Sequence, residues 1–263
     1  MDLGLKGLSA LVAGASRGLG YAVALELARE GVQVAINSHN LDKLTTAAQA
    51  ISESTQSRTL ALAGDITDPE APGRLVEQAA AAFGGLDLLV TNAGGPPPGR
   101  FETFDDAVWQ RGIDLSLLSH VRLIRAALPH LRKSSAASVL TVTSYSVKQP
   151  IANLVLSNSV RAATVGLTKS LALELGHEGI RFNSILPGWT ETERVQELMQ
   201  ARAKTNGTTV EEEIARQLQD SPLGRMATPG EFAKAAVFLL SPAASYITGV
   251  MLTVDGGMYK GVL

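Results

Sequence analysis

Short apolar segments of strand length alternate along the chain with longer segments whose apolar residues recur every three and four positions. This alternation is the strongest constraint on the fold. The strand-like stretches are 9–13, 33–37, 59–63, 86–91, 138–143, 181–186 and 251–254, and the helix-like ones are 19–30, 41–52, 70–83, 107–131, 156–175 and 229–240. Strands separated by whole helices cannot pair as hairpins, and their apolar character suits strands covered on both faces. The pattern predicts an α/β fold, a doubly wound parallel sheet of about seven strands with helices on both faces.

Composition narrows the class of function. The 263 residues are 45% hydrophobic and 18% charged, which suits one domain over 1–263 with a continuous core. The net charge is -2, and Lys and Arg are scattered, so neither a nucleic acid nor an anionic membrane is expected as a partner. A small-molecule ligand is the expectation. With no cysteine and four separated histidines (His39, His120, His130, His177), disulfides, thiolate catalysis and a metal site are all disfavoured. The beginning Met-Asp-Leu-Gly-Leu-Lys lacks a basic region followed by an apolar stretch, and no apolar run approaches ~18 residues, so a cytoplasmic location is expected. Two segments fall outside the alternation. One is the Pro-rich loop 94–99; the other is the polar stretch 190–220, a candidate substrate lid that is helical in parts.

The first chemical signal is Ala13-Gly14-Ala15-Ser16-Arg17-Gly18-Leu19-Gly20, placed between a strand and a helix. Glycines at 14, 18 and 20 permit a tight turn and close backbone approach to a pyrophosphate, while the helix start offers free N–H groups to the anion. A ligand-free glycine turn would read the same way if it stood alone. Downstream, however, come Asp65 after the third strand, Asn92-Ala93-Gly94 after the fourth, Pro187-Gly188 after the sixth and Thr253-Val254-Asp255-Gly256-Gly257 at the end.

Together these motifs resemble the short-chain dehydrogenase/reductase family over essentially the whole chain. Runs such as Gly166-Leu167-Thr168-Lys169-Ser170-Leu171-Ala172 and Ser221-Pro222-Leu223-Gly224-Arg225 are similar to its 3-oxoacyl-(acyl-carrier-protein) reductases. The resemblance implies a Rossmann fold. It implies that Gly14, Gly18 and Gly20, with Ser16 and Leu19 in the same loop, hold cofactor phosphates. Asp65 and Ile66 would meet the adenine, and Asn92, Ala93 and Gly94 would form the floor beside the ribose. Pro187 and Gly188, with Thr190 or Thr192, would face the carboxamide end. For Asn92 a strand-to-helix support, and for Asp65 an ordinary loop acid, remain open. A homotetramer, or a homodimer, is implied by the helices 107–131 and 156–175 and the tail 247–263.

Cofactor choice turns on the end of the second strand, where an NAD enzyme usually places an acid for the ribose 2′-hydroxyl. Here Asn37-Ser38-His39-Asn40 contains no carboxylate, and Asp42 falls in the next helix. Arg17 matches a position that often meets the 2′-phosphate in relatives, and Ser38 or His39 could donate to it. NADP(H) is therefore favoured over NAD(H).

The catalytic positions depart from the family pattern. Hydride passes between a nicotinamide and a carbonyl or alcohol carbon, while a Tyr exchanges the proton, a Lys tunes that Tyr and a Ser orients the substrate oxygen. Ser144 matches the Ser. Ser157 stands where the Tyr is expected, Arg161 replaces the Lys and Asp114 replaces the relay Asn. An aliphatic hydroxyl is a far weaker acid than a phenol, and Arg161 can lend charge to the cofactor ribose but cannot pass a proton. Tyr145 is the phenol adjoining Ser144, so it is a candidate relocated acid with Lys148 as its electrostatic partner; a packing aromatic is the rival reading. The expected function is NADP(H)-dependent hydride transfer on a carbonyl or alcohol. Its competitor is a catalytically impaired nucleotide-binding homologue acting as sensor or partner subunit, and dehydration or epimerisation is a third option. Trp189, Val195, Leu198 and Met199 suggest an apolar pocket, with Arg194 and Arg202 available to an anion; an amphipathic surface helix with an apolar inner face is the favoured rival reading.

Overall fold

The computed structural model describes residues 2–262. Its strands are β1 (Ser9–Val12), β2 (Gln33–Ser38), β3 (Thr59–Ala63), β4 (Leu88–Thr91), β5 (Ser138–Val142), β6 (Arg181–Pro187) and β7 (Met251–Val254). All are parallel, in the spatial order β3-β2-β1-β4-β5-β6-β7. The sheet expected from the alternation is thus the one formed. Its order reverses between β1 and β4, and the chain leaving those two strands turns to opposite sides. Such a switch point, beyond the strand C-termini, is where the ligand crevice of a doubly wound sheet lies.

Nine α-helices accompany the strands among the described residues: α1 (Gly18–Arg29), α2 (Leu41–Thr55), α3 (Ala71–Phe83), α4 (Asp106–Ile113), α5 (Ser119–Leu131), α6 (Val155–Leu175), α7 (Glu193–Asn206), α8 (Val210–Leu218) and α9 (Pro229–Leu240). Side chains alternate across each strand, so both faces are apolar. Ala10, Val12, Val34, Ile36 and Val90 join Val23 and Leu27 of α1, Leu44 and Ile51 of α2, and Phe232 and Val237 of α9. Leu11, Ala35, Leu89 and Val139 point the other way, onto Leu75 and Val76 of α3, Leu123 and Ile124 of α5, and Leu175 of α6. A third cluster lies beyond the strand ends, where Tyr145, Leu186, Trp189, Met199, Met226 and Met258 pack under α7 and α8.

The stretch read as one helix over 107–131 contains a widened π turn at Asp114–Leu118, between α4 and α5. Two hydroxyls explain it. Ser119 Oγ donates to the Leu115 carbonyl, and Thr164 Oγ1 of α6 donates to the Ser116 carbonyl. Capturing successive carbonyls competes with the α ladder and admits the extra residue. The polar stretch 190–220 holds α7 and α8, and α8 opens with a reciprocal cap in which Thr209 and Glu212 each bond the other's backbone N–H. Among the described residues no helix is long and apolar enough to cross a membrane.

Candidate active site

The glycine loop closes on Asn92, at the end of β4. Asn92 Nδ2 donates to the Gly14 carbonyl at 3.0 Å and approaches that of Ala13 at 3.4 Å. A Cβ at Gly20 would stand 2.4 Å from the Gly14 carbonyl oxygen and 2.8 Å from Asn92 Nδ2, and one at Gly14 would stand 2.8 Å from the Asn92 carbonyl oxygen. Only glycine fits either position. Asn92 therefore braces the turn, a structural duty that the sequence left open.

This turn delivers the start of α1 to the crevice. Arg17, at the helix N-cap, makes no side-chain capping bond, and the first turn holds no acid. The leading N–H groups are thus free to receive an anion. In front of Gly94 an added Cβ would meet nothing within 4 Å, so the floor beyond β4 is open. An uncapped helix start beside an open floor fits a dinucleotide phosphate and its ribose.

The other residues expected around a cofactor divide. Ser16 Oγ donates to Ser38 Oγ at 3.0 Å, joining the glycine loop to the end of β2, with exposed His39 next in the chain. Leu19 packs against the core beneath α1. Asp65 accepts from both Thr67 N and Thr67 Oγ1 in a local turn, while Ile66 and Ala93 lie in the core layer that includes α3 and α5. Pro187 ends β6, and Gly188 N donates to the Val254 carbonyl at 2.9 Å. Thr190 is buried beside β6. It is 1% exposed, its hydroxyl has no partner among the described residues, and its backbone bridges to Ala227. Thr192 instead stands over Gly18, its Cγ2 3.7 Å from where a Cβ would lie, and caps α7 through Val195 N.

Arg17 is also engaged. Its guanidinium pairs with Glu193 and lies 3.5 Å from Glu197, both on α7. Sequence reading missed this contact because the partners are 176 residues apart. Arg194 of the same helix reaches across the crevice, donating to the Pro96 carbonyl at 3.1 Å.

Arg161, buried in α6, is tied into the frame. Its Nη1 donates to the carbonyls of Val142 at 3.2 Å and Thr143 at 3.0 Å, and Nη2 to that of Gly94 at 3.4 Å. These bonds fasten the chain leaving β4 to the end of β5 and commit three of the five guanidinium donors to the main chain. Burial, and then the charge of Arg194, lower its pKa to about 10, leaving it a cation at neutral pH. His120 of α5 is held neutral nearby, its pKa lowered to about 3 by burial and by the Arg161 charge, and its Nδ1 lies 2.7 Å from Thr91 Oγ1. Replacing Arg161 by Met leaves buried carbonyls without donors. Such a protein is expected to lose about 2–4 kcal/mol of stability, read as a lower urea midpoint, with partial recovery in Arg161→Lys.

Asp114 is 3.6 Å from Arg122 and accepts from Gln110 at 3.2 Å, so its carboxylate is held by neighbours on its own helical stretch. One expected partnership is corrected by the structure. Lys148 does not attend Tyr145. Its Nζ lies 5.0 Å from the centre of the Tyr259 ring, because the tail folds back over the loop after β5. The cation that acts on Tyr145 is Arg202 of α7, whose guanidinium sits 5.3 Å above the Trp189 ring. Tyr145 meets the same Trp189 edge-on, with centroids 6.5 Å apart. Burial raises the phenol pKa, Arg202 opposes the rise, and Asp255 and Asp220 add to it.

Ser144 and Ser157 complete the site. Ser144 Oγ accepts from Ser146 N at 3.1 Å, which fixes the side chain and leaves its own proton free to donate. Ser157 is half-buried in the first turn of α6 and makes no side-chain hydrogen bond among the described residues.

Comparison with known proteins places this frame. A family model described as Enoyl-(Acyl carrier protein) reductase matches residues 14–259. The chain belongs to the short-chain dehydrogenase/reductase family. It is 32% identical to 7alpha-hydroxysteroid dehydrogenase of Escherichia coli K12, over 97% of this chain and 96% of that one. It is 33% identical to the 3-oxoacyl-(acyl-carrier-protein) reductase of Vibrio cholerae, over 98% and 99% respectively. The crystal structure of L-sorbose reductase from Gluconobacter frateurii, complexed with NADPH and L-sorbose, superposes with a TM-score of 0.95 at 32% identity over the whole of both chains. These dehydrogenase/reductase relatives act on CH–OH or C=O groups of small molecules.

Proposed function

We propose that this member of the family is an NADP(H)-dependent oxidoreductase that reduces a small carbonyl substrate, with Tyr145 as its acid. The carrying observation is the placement of Ser144 and Tyr145 side by side beyond the C-terminal end of β5, where substrates meet this class of sheet. The nicotinamide supplies the hydride when bound. Ser144, held by Ser146 N, donates to the substrate oxygen and orients it. Tyr145 gives the proton, and Arg202 offsets part of the cost of burying negative charge on its phenol. Arg161 keeps the strand ends in register and contributes a fixed positive field toward charge developing on that oxygen. Val195, Leu198 and Met199 of the lid, with Trp189, pack against Tyr145 as an apolar cluster that the substrate would border.

The raised phenol pKa sets a direction. A group held above its ordinary value near 10 stays protonated through neutral pH, which suits an acid and hinders a base. Carbonyl reduction is therefore expected to keep a level kcat/KM from about pH 6 to 9, while alcohol oxidation is still rising at about pH 9. Initial rates in both directions check this, and oxidation that levels off below about pH 8 would contradict it.

NADP(H) over NAD(H) rests on the absence of an acid at the end of β2 and on Arg17; the comparison of NADPH and NADH dissociation constants tests it. Exposed Leu173 on α6 and Leu252 on the edge strand β7 support assembly into a homotetramer, tested by sedimentation. A silent nucleotide-binding homologue is the second reading, favoured by the diversion of Arg161 and Asp114 to other partners. NADPH that binds but is never consumed across a broad carbonyl panel would select it.

A further inference from the structure

The contact between the lid and the glycine loop bears on cofactor choice. Arg17 directly follows Ser16, whose hydroxyl joins the glycine loop to the end of β2 through Ser38. This junction is where a cofactor's adenosine ribose would present its 2′-substituent. The guanidinium is already paired with Glu193 and stands 3.5 Å from Glu197. Glu197 is also 3.8 Å from Arg194, the side chain that holds the Pro-rich loop. Lys43, in the first turn of α2, adds its charge to the same carboxylate: the Arg17 hydrogen bond, then the charges of Arg17 and Lys43, draw the Glu193 pKa down. Arg17 and Lys43 thus both act on one lid carboxylate, as they would on a phosphate monoester.

We infer that Glu193 and Glu197 are cofactor-selecting residues of the lid. They compete with the 2′-phosphate of NADP(H) for Arg17, a competition that NAD(H) does not enter. Binding of NADP(H) must therefore release Glu193 and Glu197 from Arg17, whereas NAD(H) leaves them paired; the Thr192 contact with Gly18 and the Arg194 bond to Pro96 persist in both. The selectivity expected from Arg17 alone is consequently muted, and the lid is coupled to the cofactor's phosphate. This inference rests on the nucleotide-binding reading above.

The test uses the nucleotide fragments 2′,5′-ADP and 5′-ADP, titrated calorimetrically into the full chain. The pairs are half-exposed, so their loss has a modest effect: E193Q/E197Q is expected to tighten 2′,5′-ADP about three- to fivefold relative to 5′-ADP. In an Arg17→Met background the same two changes should leave that ratio unaltered, since the contested group is gone. In the unaltered protein, 2′,5′-ADP should speed amide hydrogen exchange over 193–206 and 5′-ADP should not. Equal tightening of both fragments, or an undiminished shift in the Arg17→Met background, would overturn the inference while leaving nucleotide binding intact. Failure of the unaltered protein to bind either fragment would overturn the nucleotide-binding reading and this inference with it.

Discussion

Gly20→Ala is expected to lose NADPH affinity by ~100-fold or more and to destabilise the protein by about 1–3 kcal/mol. The added methyl would lie 2.4 Å from the Gly14 carbonyl oxygen and 2.8 Å from Asn92 Nδ2. Neither neighbour is the free end of a flexible chain. The carbonyl belongs to the turn itself, and Asn92 is bonded to that carbonyl at 3.0 Å. Relief requires the start of α1 to withdraw from β4, which moves the uncapped N–H groups away from the place where phosphate would dock. Gly73→Ala provides the contrast. Gly73 lies in α3, and its Cβ would meet nothing within 4 Å, so the change is expected to stabilise by about 0.5–1 kcal/mol. Calorimetric binding and urea unfolding of both proteins check the pair. Unimpaired NADPH binding by Gly20→Ala would mean that this turn is not the phosphate site.

The fold was legible because its signals are local and periodic. Every strand of the sheet was visible as a short apolar run, and the loop 13–20 was visible because glycine at 14, 18 and 20 has few other uses between a strand and a helix. The π turn at 114–118 was not, since it depends on Thr164, a hydroxyl contributed from a different helix. The partners of the candidate site residues were not legible. Ser144, Tyr145, Ser157 and Arg161 could be located by counting along the chain. Whom they meet depends on long side chains and distant segments: Arg161 turned to strand-end carbonyls, Lys148 to the tail residue Tyr259, and Arg17 to Glu193. Proximity in sequence suggested Lys148 as the partner of Tyr145, whereas the fold supplies Arg202 from α7. Flexible cations go where burial and carbonyl geometry favour them, and spacing along a loop does not report that.

The second large effect concerns the proton. Tyr145→Phe keeps the ring and its edge-on contact with Trp189, so the cluster with Leu186, Met199, Met226 and Met258 should survive. Only the hydroxyl is lost. A positioned general acid contributes ~10²- to 10⁴-fold, and kcat for carbonyl reduction should fall by that order while the NADPH dissociation constant stays unchanged. Ser157 is an aliphatic hydroxyl, far less acidic than a phenol, so Ser157→Ala should cost no more than ~10-fold.

Single-turnover NADPH oxidation by the unaltered protein, Tyr145→Phe and Ser157→Ala, each saturated with the same carbonyl substrate, tests the assignment most directly. The expected result is a hydride-transfer rate at least ~100-fold lower in Tyr145→Phe alone, with NADPH binding intact in all three. A Tyr145→Phe rate within a few-fold of the unaltered protein, or a collapse confined to Ser157→Ala, would contradict it.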